Sequence, residues 1–258
     1  MHVKNNDPGD PETFLQSIDW ETERTPKEFV ELAEQTHKSL KPLAHTEIGW
    51  KRYLSKNGFY KKFWEEIYPL HFFARHYFTG KTDIRLRPVF GKQNYDALVT
   101  DYSTSPPTVT KLEFTQAVDG YEEQLRHEHL REHGSVNAWG KVTVTGTKNT
   151  GHQIEVEDEC FSVDEKVEEQ LLRIKDAALN KSGKPYGKDT WLIIFFSNWT
   201  YFMTDEWGEI TKLRDFVRRK VLPLKLDFGK LFVLGFYGEP RKLAPDTFGL
   251  NPTGKILF

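Results

Sequence analysis

The sequence is short of the features that mark a secreted, membrane-embedded or disulfide-stapled protein. It has one cysteine and two methionines in 258 residues. A single thiol, Cys160 in the acidic run Glu157-Asp158-Glu159, excludes an internal disulfide and a cysteine-based metal cluster. No apolar run approaches the ~20 residues of a membrane span. The first residues, Met1 to Thr13, lack the apolar stretch of a signal peptide. Neither sign of charge is in surplus: 36 basic against 38 acidic side chains leave a net charge of −2. Bulk charge therefore draws the chain to neither membrane nor nucleic acid, and such binding needs a local patch. Glycine-rich nucleotide loops and a serine nucleophile elbow are also missing. These absences lead to the expectation of a soluble, reduced, cytoplasmic protein with no membrane partner.

What is present is aromatic. Aromatics make up 14% of the chain, with seven Trp and nineteen Phe, and apolar residues 38%. That is core-forming material for one large domain. Residues 1–24, with Asp7-Pro8-Gly9-Asp10-Pro11, read as a polar lead-in expected to be mobile. No linker follows, so residues 25–258 read as a single α/β domain.

Thr25-Pro26-Lys27-Glu28 is a capping box that opens a helix, and Pro42 is expected to end it. Together with an aromatic-rich helical stretch at 48–79, it predicts a helical N-terminal layer over 25–79. The sheet, with its flanking helices, is expected over 83–258. Strands at Ile84–Phe90, Tyr95–Val99 and Thr108–Gln116 have short connections and predict an antiparallel meander. A helix from Asp119 to His133 is stopped by Gly134. A hairpin follows at 139–157, turning around Asn149-Thr150-Gly151. Ser162-Val163-Asp164-Glu165 then caps a long helix with Val163, Val167, Leu171 and Ile174 on one stripe, expected to be buried on the sheet. Trp191–Phe196 and Leu231–Phe236 are continuously apolar, as strands covered on both faces are.

Two residues break the strand pattern. Glu113 is a carboxylate inside an apolar β segment, sharing a face with Lys111 and Thr115, while Leu112 and Phe114 face a helix layer. Asp96 is the same oddity on the neighbouring strand. Two bare anions about 4 Å apart repel by roughly 4 kcal/mol at an effective dielectric near 20. Such a pair shares a proton, finds a cation or holds a metal, and hard oxygens suit Mg²⁺ or Mn²⁺. The alternative is that Asp96 ends a turn and Glu113 pairs across the sheet with Arg85, Arg87 or Lys111.

An Asp opening a strand, a loop, then a Glu two positions before a polar residue, then a helix, resembles the PD-(D/E)xK nuclease superfamily. The resemblance spans roughly Glu65 to Asn198. It implies a restriction-endonuclease-like mixed sheet flanked by helices, and Mg²⁺-dependent (or Mn²⁺-dependent) hydrolysis of DNA or RNA. It also implies Asp96 and Glu113 as metal ligands, the carbonyl of Phe114 as a further one, and Glu65 or Glu66 as an additional acid. Thr115 departs from the motif, standing where the family has a lysine that orients or deprotonates the attacking water. Lys111, Gln116, Arg126, Lys181 and Lys184 are the candidates for that role. A second departure is the hairpin 139–157 with the helix 162–181, which lies as an insertion between elements that are normally consecutive. Without the lysine, the same fold would serve as a catalytically inactive binding or assembly module.

Three more patterns carry chemistry. His129-Leu130-Arg131-Glu132-His133 matches the H-x-x-E-H pattern of inverted zinc metallopeptidases, although so polar a run is the mark of a solvated helix face. Lys181, Lys184 and Lys188, in the loop before the first buried strand, are candidates for nucleic-acid phosphate contact, with Arg126 on the Asp119–His133 helix. Arg214–Lys220 is a basic helix end suited to the helix dipole.

Overall fold

The computed structural model describes residues 9–44, 46–55, 57–137, 140–147, 151–157, 162–197, 206–236, 248–250 and 256–257. Cys160 and the turn centre Asn149-Thr150 lie outside the described residues.

From Asp10 onward the expected mobile lead-in packs onto the body of the fold. Helix α1 (Pro11–Gln16) starts at Asp10, whose side chain accepts the Glu12 N–H. Leu15 and Trp20 are 0% and 2% exposed. Buried carboxylates hold this segment down. Asp10 makes a two-point ion pair with Nε and Nη2 of Arg52, both at 3.0 Å. Glu12 accepts the Phe59 and Tyr60 N–H groups at 2.7 Å each, capping a later helix from outside. Gly58 lies under that carboxylate at φ +66°, where a Cβ would stand 2.6 Å from Glu12 Oε1. Stripping two buried N–H groups of their acceptor costs about 1–3 kcal/mol for each. Glu12→Ala is therefore expected to lower unfolding free energy by about 2–5 kcal/mol in urea titration, with Glu12→Gln losing less. A loss under about 0.5 kcal/mol would mean that water replaces the carboxylate.

Helix α2 (Pro26–Ala44) begins at the predicted capping box: Thr25 N–H donates to Glu28 Oε2 at 2.9 Å and Glu28 N–H to Thr25 Oγ1 at 3.3 Å. It runs past Pro42, where the sequence predicted its end. This proline sits in the last turn, where its missing donor removes a single bond. Helices α3 (Glu47–Ser55), α4 (Gly58–Lys62) and α5 (Tyr68–Tyr77) complete the layer, with a π-helical turn at Phe63–Ile67 joining α4 to α5. In that turn the Tyr68 N–H reaches back five residues to Phe63 O. Pro69 has no N–H to offer the Glu65 carbonyl, so the ladder widens there.

The predicted meander is present as β1 (Ile84–Pro88), β2 (Ala97–Asp101) and β3 (Thr108–Gln116). The chain then makes α6 (Gly120–His133), the hairpin β4 (Val142–Thr147) and β5 (Gly151–Val156), and α7 (Val163–Leu179). It returns to the sheet as β6 (Gly187–Ser197), parallel to β3. Helix α8 (Glu206–Phe216) and a second π-helical turn, Val217–Val221, lead to β7 (Phe228–Phe236), parallel to β6. Two short strands that no sequence pattern announced, β8 (Phe248–Leu250) and β9 (Ile256–Leu257), extend the edge. The result is a mixed sheet of order β1-β2-β3-β6-β7-β8-β9.

Each sheet face carries its own core. On one, Phe63, Phe73 and Phe78 of the helical layer pack against Leu112, Phe114, Ile193 and Phe232. On the other, Val167, Leu171 and Ile174 of α7 pack with Leu192, Ile194 and Val233, and Val163 is half-buried beside them. The predicted stripe is thus buried. The inserted unit is drawn differently from the expectation. α7 is the helix that covers the sheet between the parallel strands β3 and β6, while the hairpin packs on α6. α6 with β4–β5 forms a unit outside both of these cores. Among the described residues no helix is long and apolar enough to cross a membrane.

Candidate functional site

The two out-of-pattern carboxylates meet where β2 and β3 part. Asp96 N–H donates to Leu112 O at 2.8 Å, and Asp96 Oδ2 accepts the Phe114 N–H at 2.7 Å. The side chain thus takes a place in the strand ladder and is fixed by it. The register Ala97↔Leu112 brings Asp96 beside Glu113. Alternation sends Leu112 and Phe114 into the helical layer and turns Glu113 to the face covered by α7. Glu113 is only 7% exposed.

Its partners come from the loop after α7. Lys181 Nζ donates to Glu113 Oε1 at 2.5 Å, and the Tyr186 hydroxyl donates to the same oxygen at 3.4 Å. Tyr186 is itself buried, with its ring 4.4 Å from that of Phe228. The position of Lys181 follows from chain geometry. α7 ends at Leu179 with Asn180 as its cap, so Lys181 emerges beside the strand that α7 covers.

Electrostatics tie the cluster together. Burial pushes the Asp96 carboxyl up to about 7, the charges of Glu113 and Glu66 add to this, and the Phe114 N–H and Lys181 oppose it. Burial also raises Glu66, with Lys62 opposing and Glu65 and Glu113 adding. Glu66 is therefore the acid of the π-helical turn that feels the site, whereas Glu65 pairs with Lys61 at 3.5 Å. Burial works against the Lys181 ammonium, but the hydrogen bond and charge of Glu113 outweigh it and raise its pKa. Burial and the Glu113 charge raise Tyr186 as well.

With both carboxylates ionised, one lysine leaves an excess negative charge. Burial and this surplus negative charge favour a proton on Asp96, or a cation in its place. Among the described residues no group of three or more His, Cys, Asp or Glu side chains gathers to hold a metal ion. A hard divalent ion would fit the two oxygen donors Asp96 and Glu113, with water or substrate oxygens for the rest.

The other predicted residues are placed as follows. Lys111 shares the Glu113 face but pairs with Asp189 at 2.8 Å. Arg85 donates to the carbonyls of Thr82 and Ile84, so neither it nor Lys111 is the cation of Glu113. Thr115 is half-buried, and Gln116 is exposed with Nε2 3.4 Å from Trp64 O on the π-helical turn. Lys184 is exposed; Lys188 pairs with Asp227 at 3.3 Å. Lys181, a candidate both for the missing lysine and for substrate phosphate, pairs with Glu113. Arg126, expected at the nucleic acid, is 7% exposed and donates to Glu122 Oε1 and Gly140 O. The hairpin covers that stretch, so Arg126 and His127 are buried where the sequence predicted a solvated face. Tyr186 was missed, since a tyrosine in a loop before a buried strand looks like a packing residue. No protein-family model, curated protein or solved structure matches the chain.

Proposed function

We propose that the chain is a metal-dependent nuclease of restriction-endonuclease-like architecture, hydrolysing phosphodiester bonds in DNA or RNA. The observation that carries this reading is Lys181 on Glu113 beside Asp96. The lysine that Thr115 lacks is supplied from the end of α7. The element order supports the same reading: a helical layer, a three-strand meander, and a return strand parallel to β3.

In this reading Asp96 and Glu113 hold Mg²⁺ or Mn²⁺, with the Phe114 carbonyl as a further donor and Glu66 as the additional acid. The bound ion supplies charge neutralisation at the scissile phosphate and a more acidic water. Lys181 keeps a positive charge against Glu113 and orients the attacking water. Tyr186 holds Glu113 in place through the same oxygen. Exposed Lys184 stands by for substrate phosphates.

The test is a cleavage assay on single- and double-stranded DNA and RNA with Mg²⁺ or Mn²⁺. The expected result is metal-dependent cleavage of at least one substrate, abolished by chelation, with His129→Ala retaining it. A specific observation favours a second reading: Glu113 and Lys181 already neutralise each other. Such a pair fits a non-catalytic binding or assembly module. No cleavage of any substrate would put that module first.

A further inference from the structure

The added unit carries a second cluster of ligand-type side chains, away from the carboxylates. His129 and His133 stand four apart on α6 and so share a face of the helix. Their ring centroids are 4.3 Å apart with an interplanar angle of 42°. His129 Nδ1 lies 3.1 Å from the backbone oxygen of Ile154 on β5. A carbonyl oxygen can only accept, so Nδ1 carries the proton. The neutral ring then keeps a lone pair on Nε2. This is how proteins orient a metal-bound imidazole: the non-ligating nitrogen donates to a backbone oxygen, fixing both tautomer and ring. His133 is exposed on the last turn of α6. The helix ends at Gly134, φ 75°, with no atom within 4 Å of where a Cβ would stand there.

We propose that His129 and His133 form a two-imidazole site for a borderline transition-metal ion such as Zn²⁺, Ni²⁺ or Cu²⁺. Water completes the coordination. Imidazole nitrogen suits these ions and not Mg²⁺. No third His, Cys, Asp or Glu joins the pair among the described residues, and Glu132 is exposed. The set is therefore short of the three protein ligands of a zinc peptidase centre, and the role is to bind an ion on the last turns of α6. This inference does not depend on the nuclease reading.

The experiment is calorimetric titration of the full chain with ZnCl₂ and with NiCl₂ in a non-chelating buffer at neutral pH. One ion per chain is expected at this site. His133→Ala, an exposed position that leaves folding intact, should weaken binding roughly tenfold or more. Imidazole ¹⁵N spectra should show His129 as the Nδ1–H tautomer, with the Nε2 signals of both rings moving on addition of Zn²⁺. No uptake by the wild type would overturn the proposal. So would binding untouched by His133→Ala, or an Nε2–H tautomer at His129.

Discussion

Glu113→Gln is expected to abolish Mg²⁺-dependent cleavage and to destabilise the fold as well. The first effect follows from the loss of an anionic ligand at constant shape. Removing one preorganised electrostatic contact from an active site costs about a hundred- to a thousandfold in kcat, and a metal ligand belongs at the upper end. The second effect has a sign that the carboxylates alone would give wrongly. Two close anions repel, so neutralising one relieves Asp96. Glu113, however, is also the partner of Lys181, whose side chain is only 19% exposed. Breaking a buried pair from one side costs about 3–5 kcal/mol. The residual exposure of Lys181 and the relief at Asp96 both reduce this, leaving a net loss of about 1–3 kcal/mol. The double variant Glu113→Gln/Lys181→Met should regain stability without regaining activity. Single-turnover cleavage and urea titration read the two effects separately. Cleavage retained by Glu113→Gln would remove Glu113 from the metal. A gain in stability would show that carboxylate repulsion outweighs the lysine.

Stability should fall as pH rises through the range of Asp96, and a divalent ion should reverse this. The Asp96 carboxyl is raised from the ordinary 3.8 to about 7. The folded state therefore holds this proton more tightly than the unfolded chain. The contribution to stability is full below about pH 4 and is lost as pH climbs to about 7. At about 1.4 kcal/mol per unit, the loss is on the order of 4 kcal/mol from this residue. Asp96→Asn keeps an oxygen for the Phe114 N–H and cannot ionise. It should be more stable than wild type at pH 8 and close to it at pH 4. On the proposed metal-binding reading, Mg²⁺ would compete with the same proton, so its apparent affinity should rise with pH and level off above about pH 7. Melting temperature against pH for the two proteins checks the first part. Titration at pH 6 in buffers of different ionisation enthalpy checks the second, through release of about one proton per ion. Parallel pH profiles for wild type and Asp96→Asn would show that Asp96 is ionised at neutral pH with or without metal.

Local rules were legible in the sequence, and long-range pairings were not. Both capping boxes, Thr25 with Glu28 and Ser162 with Glu165, are present, because a cap is settled within four residues. The meander and the stripe on α7 follow from periodicity. Glu113 betrayed itself as a charge in an apolar strand. What the sequence left open was which cation answers it. Lys181 is 68 positions away, and in sequence it stands equal to Lys184 and Lys111. Glu66 could not be separated from Glu65 either, since the choice depends on a π-helical turn. What covers α6 was not legible either: it follows β3 directly, but its polar surface meets the hairpin and not the sheet.

That arrangement divides the molecule's resistance to opening. The unit α6–β4–β5 belongs to neither of the two large apolar clusters. It is moored to α7 through Glu122, which accepts from Arg126 at 2.7 Å and from Arg173 at 2.8 Å. Ion pairs of this partly exposed kind are worth about 0–1 kcal/mol each and weaken with salt. The hairpin can therefore detach at a free energy well below that of global unfolding. Its amide protons are expected to exchange with solvent through such partial openings, faster as ionic strength rises. Those of β3, β6 and β7 wait for the whole sheet to come apart. Residues 120–157 can thus drift in sequence or length while the carboxylates, held by the slow part of the structure, keep their places.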